Sequence, residues 1–315
     1  MLFHIPPEGQ IQASRSVLDI RGFQKVFSES LNSYVQEDVA LAERCWLRIG
    51  GSARFFAEVP SSSILTQLCK EATAASLPVR VLGAGSNLLI RSGPIDALVV
   101  RLTGEFETVT ISENKIVVGA AASLGDLISA AAEAGLAGLE HLAGIPGTVG
   151  AAVVCNSGVK NDDLGSRVQR VCGVDRDGQE VELSREELKF GYRRSNLEHL
   201  IVTSAEIELQ KQDPAEVTRK LQANWIVKKA AQPAVDDCLA QAFIEPSGWQ
   251  ISELLEAAGM KSASEGEASM NPEFPGYLGV TKEADAKDVL ALMDRIARAV
   301  EVQSGIQLHQ QLKIW

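Results

Sequence analysis

The chain has 315 residues, a length that suits two or three domains. Hydrophobic residues make up 45%, which excludes a disordered protein, and a net charge of −11 disfavours non-specific binding to nucleic acid or an anionic membrane. Cys45, Cys69, Cys155, Cys172 and Cys238 are odd in number and contain no CxxC pair, so neither a disulfide framework nor a structural zinc site is expected. No signal peptide and no membrane-length apolar run of roughly 18 residues is found, so a soluble cytoplasmic protein is expected.

Residues 1–35 are weakly patterned and read as an N-terminal extension. From Leu47 the pattern sharpens. Arg48–Pro60 reads as a glycine turn and a strand, Ser61–Ser63 as the cap of a helix over Ile64–Ala75, and Val79–Leu82 as a short strand. Gly83-Ala84-Gly85-Ser86-Asn87 follows, then strands at Leu88–Ile90 and Ala97–Val100. The glycine run is no Rossmann fingerprint, because Leu88 stands where the third glycine belongs and a strand follows instead of a helix. Between two strands it forms a nest of backbone N–H groups suited to an anion, with Ser86 and Asn87 adding side-chain hydrogen bonds. Read alone, it also suits an ordinary tight turn.

Strands at Thr108–Ile111 and Lys115–Val118 precede a helix over Ser123–Ala134, whose Leu124, Leu127, Ile128 and Ala131 share one face. Then comes Gly144-Ile145-Pro146-Gly147-Thr148-Val149-Gly150, in which a proline stiffens the backbone and three glycines strip Cβ atoms from one edge. A flat ring or a diphosphate could lie there; a rigid connecting loop is the plainer reading. Strands near Arg167–Val174, Glu180–Leu183 and Ile201–Leu209 complete this part, with Asp177-Gly178 as a hairpin turn. Asp213-Pro214-Ala215-Glu216 has the form of a capping box opening a helix that Gln232-Pro233 breaks. Further helices are expected over Ser247–Ala258 and Ala284–Gln303, and the closing segment alternates apolar Ile306, Leu308, Leu312 and Ile314 with polar residues. His4, His141, His199 and His309 show no ligand spacing, so no metal is expected, and the four tryptophans read as packing residues.

Five pieces together resemble the UDP-N-acetylenolpyruvoylglucosamine reductase family: Ile49–Ala53, Val81–Leu89, Gly138–Gly150, Asn156-Ser157-Gly158 and Phe190–Ser195. The resemblance runs from about residue 45 to the C-terminus. It implies an α+β chain with a two-subdomain FAD-binding fold of the vanillyl-alcohol-oxidase type, over 36–105 and 106–212, and a C-terminal α+β substrate domain over 213–315. It implies FAD as cofactor and NADPH as reductant, in a peptidoglycan-precursor reaction that delivers hydride to the enolpyruvyl double bond of a UDP-sugar. Gly83, Gly85, Ser86, Asn87, Gly144, Ile145, Pro146, Gly147, Thr148 and Gly150 then hold the cofactor, and Tyr192 and Ser195 bind substrate. Arg193 matches the family's catalytic arginine. The family's Ser or Cys proton donor and its catalytic Glu fall on Gln241 and Gln311, and the histidine of a His-Ala-Asn-Phe segment is lost in Phe274-Pro275-Gly276-Tyr277. A carboxamide is a very poor proton-transfer acid. A catalytically impaired FAD-binding relative with a regulatory role is therefore the alternative. The oligomeric state is not legible in the sequence.

Overall fold

The computed structural model describes residues 26–159, 162–233 and 238–315; the first 25 residues of the expected extension lie outside the described residues. The first layer is a four-stranded sheet in the order β1 (Val35–Ala40), β2 (Ser52–Val59), β5 (Pro94–Leu102), β3 (Val79–Val81). Strands β2, β5 and β3 run parallel and β1 antiparallel. Helix α1 (Ser62–Ala74) makes the crossover, burying Leu65, Leu68, Cys69 and Ala72 at i, i+3, i+4 and i+7. Ser61 occupies its N-cap position without a side-chain bond; Glu105 Oε1 instead accepts from Ser62 N–H at 2.7 Å.

The second layer is an antiparallel five-stranded sheet in the order β12 (Glu180–Ser184), β11 (Val168–Val174), β15 (Ile201–Glu208), β7 (Lys115–Gly119), β6 (Val109–Ser112). Helices α2 (Leu124–Glu133) and α3 (Val149–Val154) contribute to its core. Short pairs fill the connections: β8 (Leu136–Ala137) with β16 (Gln210–Lys211), β9 (Gly158–Val159) with β10 (Asp162–Asp163), and β13 (Phe190–Gly191) with β14 (Arg194–Ser195). One apolar cluster runs through both layers and includes Phe27 and Leu31. Those two residues, assigned by sequence to the extension, are core residues, with the Phe27 ring edge-on to Phe55 at 5.2 Å.

Helix α4 (Pro214–Ala231) starts where expected, and the Asp213 carboxylate accepts from Ala215 and Glu216 N–H. The cap is one-sided, because Glu216 pairs with Lys220 one turn on. Beyond it stands a four-stranded sheet unforeseen from sequence, ordered β17 (Leu239–Gln241), β21 (Tyr277–Val280), β20 (Ala268–Met270), β19 (Ser264–Glu265). Helix α5 (Ile251–Ala257) begins later than Ser247 because the chain first turns, with Trp249 N–H donating to Pro246 O. Helix α6 (Ala286–Ser304) packs Val289, Leu292, Met293, Ile296 and Val300 inward, opens on an Asp285/Asp288 capping box and stops at left-handed Gly305.

Two strand expectations need correction. β4 (Leu88–Leu89) does not join the first sheet; it pairs in parallel with β23 (Lys313–Ile314). The alternating final segment is not one strand. β22 (His309–Gln310) pairs with β18 (Phe243–Ile244), and the chain then switches partners to β4. Apolar alternation reports which face is buried, not how many partners a strand has.

Candidate functional site: two glycine loops and the C-terminal segment share one cleft

A cleft of about 900 Å³ lies between the two layers and the C-terminal segment, a size suited to a large organic ligand. Both glycine runs line it. The first bridges β3 to β4; the second leads into α3. They touch: Ser86 Oγ donates to Pro146 O at 3.4 Å, and a Cβ on Gly83 would meet Thr148 Oγ1 at 2.8 Å. Gly85 (φ +67°) has no room either, since a Cβ there would lie 2.4 Å from Arg44 O. Gly147 (φ +131°) differs: a Cβ would meet only Ser86 Oγ, at 3.5 Å, and otherwise open space.

The N–H groups of Gly83 through Asn87, together with those of Gly147 and Thr148, meet no protein acceptor among the described residues. Backbone donors are rarely left unpaired. Seven of them on two adjoining loops are a cradle for an anionic group, and the missing Cβ atoms allow close approach. The cations Arg80, Arg101, Arg176, Arg193, Lys228 and Lys313 outnumber the carboxylates Glu58, Glu107 and Glu198 along the walls, against an acidic whole. Burial, reinforced by Arg193, holds the Lys228 ammonium below its ordinary pKa; its Glu198 partner at 2.7 Å holds Lys313 above. These features fit an FAD: donors for a diphosphate, a flat Cβ-free edge for a ring, and a cationic wall.

Arg193 reaches this cleft from the two-residue turn joining β13 to β14, at left-handed φ +57°. The turn is clamped from behind. Asn156, almost fully buried, donates from Nδ2 to Gly191 O and Asp163 Oδ2, both at 2.9 Å, while its Oδ1 accepts from Gly165 N–H at 2.8 Å. Ser195 Oγ donates to Val154 O at 2.7 Å, fixing the same hairpin to α3. Ser195 therefore does not line the cleft; its hydroxyl is spent on positioning. Tyr192 is also outside the lining, 43% exposed, with the Arg193 guanidinium 6.0 Å from its ring centre. Gly144 (φ +74°) stands behind the cleft, its carbonyl accepting from Gln232 Nε2 at 2.8 Å and so docking the end of α4.

The C-terminal segment also lines the cleft. Gln311 is gripped through its main chain: its N–H donates to Ala242 O at 2.9 Å and its carbonyl accepts from Asn87 Nδ2 at 3.0 Å. One residue thus joins the first glycine loop to the strands carrying Gln241. Gly83, Gly85, Ser86, Asn87, Ile145, Pro146, Gly147, Thr148, Gly150, Arg193, Gln241 and Gln311 consequently share one cleft. Cys238 does not line it. Lining residues that sequence reasoning passed over are Tyr277, Lys228, Cys155 and the indoles of Trp46 and Trp315. Only Lys228 carried a usable signal, four residues before Gln232-Pro233 on a helix ending at the second loop.

An FAD binding domain model matches residues 53–184, and a model of the UDP-N-acetylenolpyruvoylglucosamine reductase C-terminal domain matches residues 232–315. The reductase of Rhodopirellula baltica is 35% identical over 92% of this chain and 95% of its own length; that of Moorella thermoacetica is 32% identical over 95% and 99%. The crystal structure of the Thermus caldophilus reductase covers 88% of this chain and 97% of its own, at 33% identity and a TM-score of 0.75. A catalytically impaired relative is not favoured by such full-length similarity, and the α+β flavoprotein fold expected from sequence is the one found. The chain belongs to the UDP-N-acetylenolpyruvoylglucosamine reductase family.

Proposed function

We propose that this protein is an FAD-dependent reductase that takes electrons from NADPH and converts UDP-N-acetylenolpyruvoylglucosamine to UDP-N-acetylmuramate, a peptidoglycan precursor, in the cytoplasm. The observation that carries the reading is Arg193 fixed in the same cleft as the two glycine loops. Bound FAD supplies the hydride chemistry. Five unpaired cysteines suit a reducing compartment, and among the described residues no helix is long and apolar enough to cross a membrane.

The loop N–H groups of Gly83–Asn87 and Gly147–Thr148 hold the cofactor. Arg193 presents a fixed, planar cation to the carboxylate of the substrate and to the negative charge that develops beside it. The Asn156 and Ser195 bonds fix its hairpin, so little reorganisation is needed as that charge grows. Gln241 and Gln311 act as neutral hydrogen-bond partners in the same cleft. Lys228 supports the anionic substrate at the end of α4, and Tyr192 forms the rim.

The test is spectroscopic. Purified protein is expected to carry flavin absorbance that anaerobic NADPH bleaches and UDP-N-acetylenolpyruvoylglucosamine restores. Bleaching without restoration removes this substrate from the reading. Colourless protein that gains no thermal protection from added FAD removes the cofactor itself.

A further inference from the structure

Reducing the enolpyruvyl double bond takes a hydride and a proton, and the two glutamines that share the cleft with Arg193 can supply neither. The proton has to come from an acidic O–H, S–H or ammonium group of the cleft, or from water, near the carbon where charge accumulates. Strands β17 and β21 are antiparallel, with Gln241 directly opposite Tyr277. Opposed residues project to the same face with Cβ atoms about 4.5–5.5 Å apart. Here that face is the cleft, because Gln241 and Tyr277 both line it while Leu278, the next residue on β21, is fully buried on the other side.

The main chain that carries the phenol is firmly placed. Tyr277 N–H donates to Phe274 O, and its carbonyl accepts from Asn271 N–H at 2.8 Å. Asn271 Oδ1 in turn accepts from Glu273 and Phe274 N–H. Gly276 (φ +92°) presents its carbonyl to Ala242 N–H at 2.9 Å, pinning the turn to the Gln241 strand. The Tyr277 hydroxyl itself meets no hydrogen-bond partner among the described residues.

We propose that Tyr277 is the proton donor of this reductase, delivering its hydroxyl proton from the strand opposite Gln241. The proposal rests on the reductase reading given above. The methylene carbon of the alkene accepts the hydride and becomes a methyl group. The π pair then forms the new C–H bond at the carboxylate-bearing carbon as the Tyr277 O–H bond breaks. The phenolate recovers its proton from solvent, and NADPH is the two-electron donor. Burial pushes the Tyr277 phenol up and Arg193 pulls it down, with burial the larger cause. It therefore stays protonated near neutral pH, yet it is a far stronger acid than the carbon it protonates.

The experiment compares the holoenzyme with Tyr277→Phe, which keeps the ring and its packing. Flavin content, thermal protection by FAD and the rate of NADPH bleaching should be unchanged, whereas substrate-driven reoxidation should slow by about 10²–10⁴. Adding Gln241→Ser to Tyr277→Phe should recover at least part of that loss by returning a hydroxyl to the same face. Without turnover, the phenolate absorbance lost in Tyr277→Phe should titrate at higher pH when Arg193 is replaced by Met. Reoxidation by Tyr277→Phe at the wild-type rate, a loss that follows Cys155→Ala instead, or a phenol indifferent to Arg193 would each overturn the proposal. Wild-type enzyme that bleaches and is not reoxidised overturns the reductase reading first, and is told apart by that result.

Discussion

Gly83→Ala tests whether the two loops act as one cradle. The added Cβ would stand 2.8 Å from Thr148 Oγ1 and 3.4 Å from Ala151 Cβ, so Thr148 must turn or the loops must part by a fraction of an ångström. Overpacking of this size costs about 1–3 kcal/mol. Without ligand the loops can relax apart, so most of the cost falls on the state in which one cofactor bridges them. That converts to roughly 5- to 150-fold weaker FAD binding. Thr148→Ala in the same background removes the clashing oxygen, and Thr148 Cβ would already sit 3.9 Å away. FAD titrations followed by thermal shift should then show recovery, with a favourable coupling of about 0.5–3 kcal/mol between the two sites. Wild-type affinity in Gly83→Ala, or a double variant weaker than either single one, refutes the shared cradle.

Asn156→Ala should cost about 2–4 kcal/mol in urea denaturation, because it strands Gly191 O and Gly165 N–H, and should lower kcat by loosening the Arg193 hairpin. Asn87→Ala should cost about 1 kcal/mol and speed hydrogen exchange at Lys313 and Trp315 N–H, which donate to the first loop and β4. Burial raises the Cys45 and Cys69 thiols from 9.0 to about 11. Unfolded chains therefore ionise these thiols from pH 9 upward while the native protein does not, and stability should fall by about 1.4 kcal/mol per pH unit per thiol until pH 11. Cys69→Ala should remove one thiol's share of that slope; an unchanged slope counts against it.

Elements with a strong single period were legible in the sequence. Helices α1, α2 and α6 and the second sheet lie close to their expected ranges because apolar spacing acts locally, whereas α4, which buries only Val217 of its residues, was marked by its Asp213-Pro214 cap and by Pro233 beyond its end. The sheet of β17, β21, β20 and β19 was not legible: its strands are two to four residues long, below the length at which alternation can be distinguished from chance. The two glycine loops, expected from their residue types, and Arg193, expected from a family resemblance, line one cleft. The bond from the Ser195 hydroxyl to Val154 O was not legible, since a hydroxyl that holds a hairpin and one that touches a ligand look alike in one dimension. Tyr277 was hidden for another reason. Its place beside Gln241 depends on strand register between segments 36 residues apart, which no local pattern encodes.

The bond from Asn87 to Gln311 spans 224 residues. The loops that carry the unpaired N–H groups are complete once Thr148 has been made, whereas the contact that joins the first of them to the C-terminal segment must wait for Gln311, more than 160 residues later. The cradle therefore precedes its cover in synthesis.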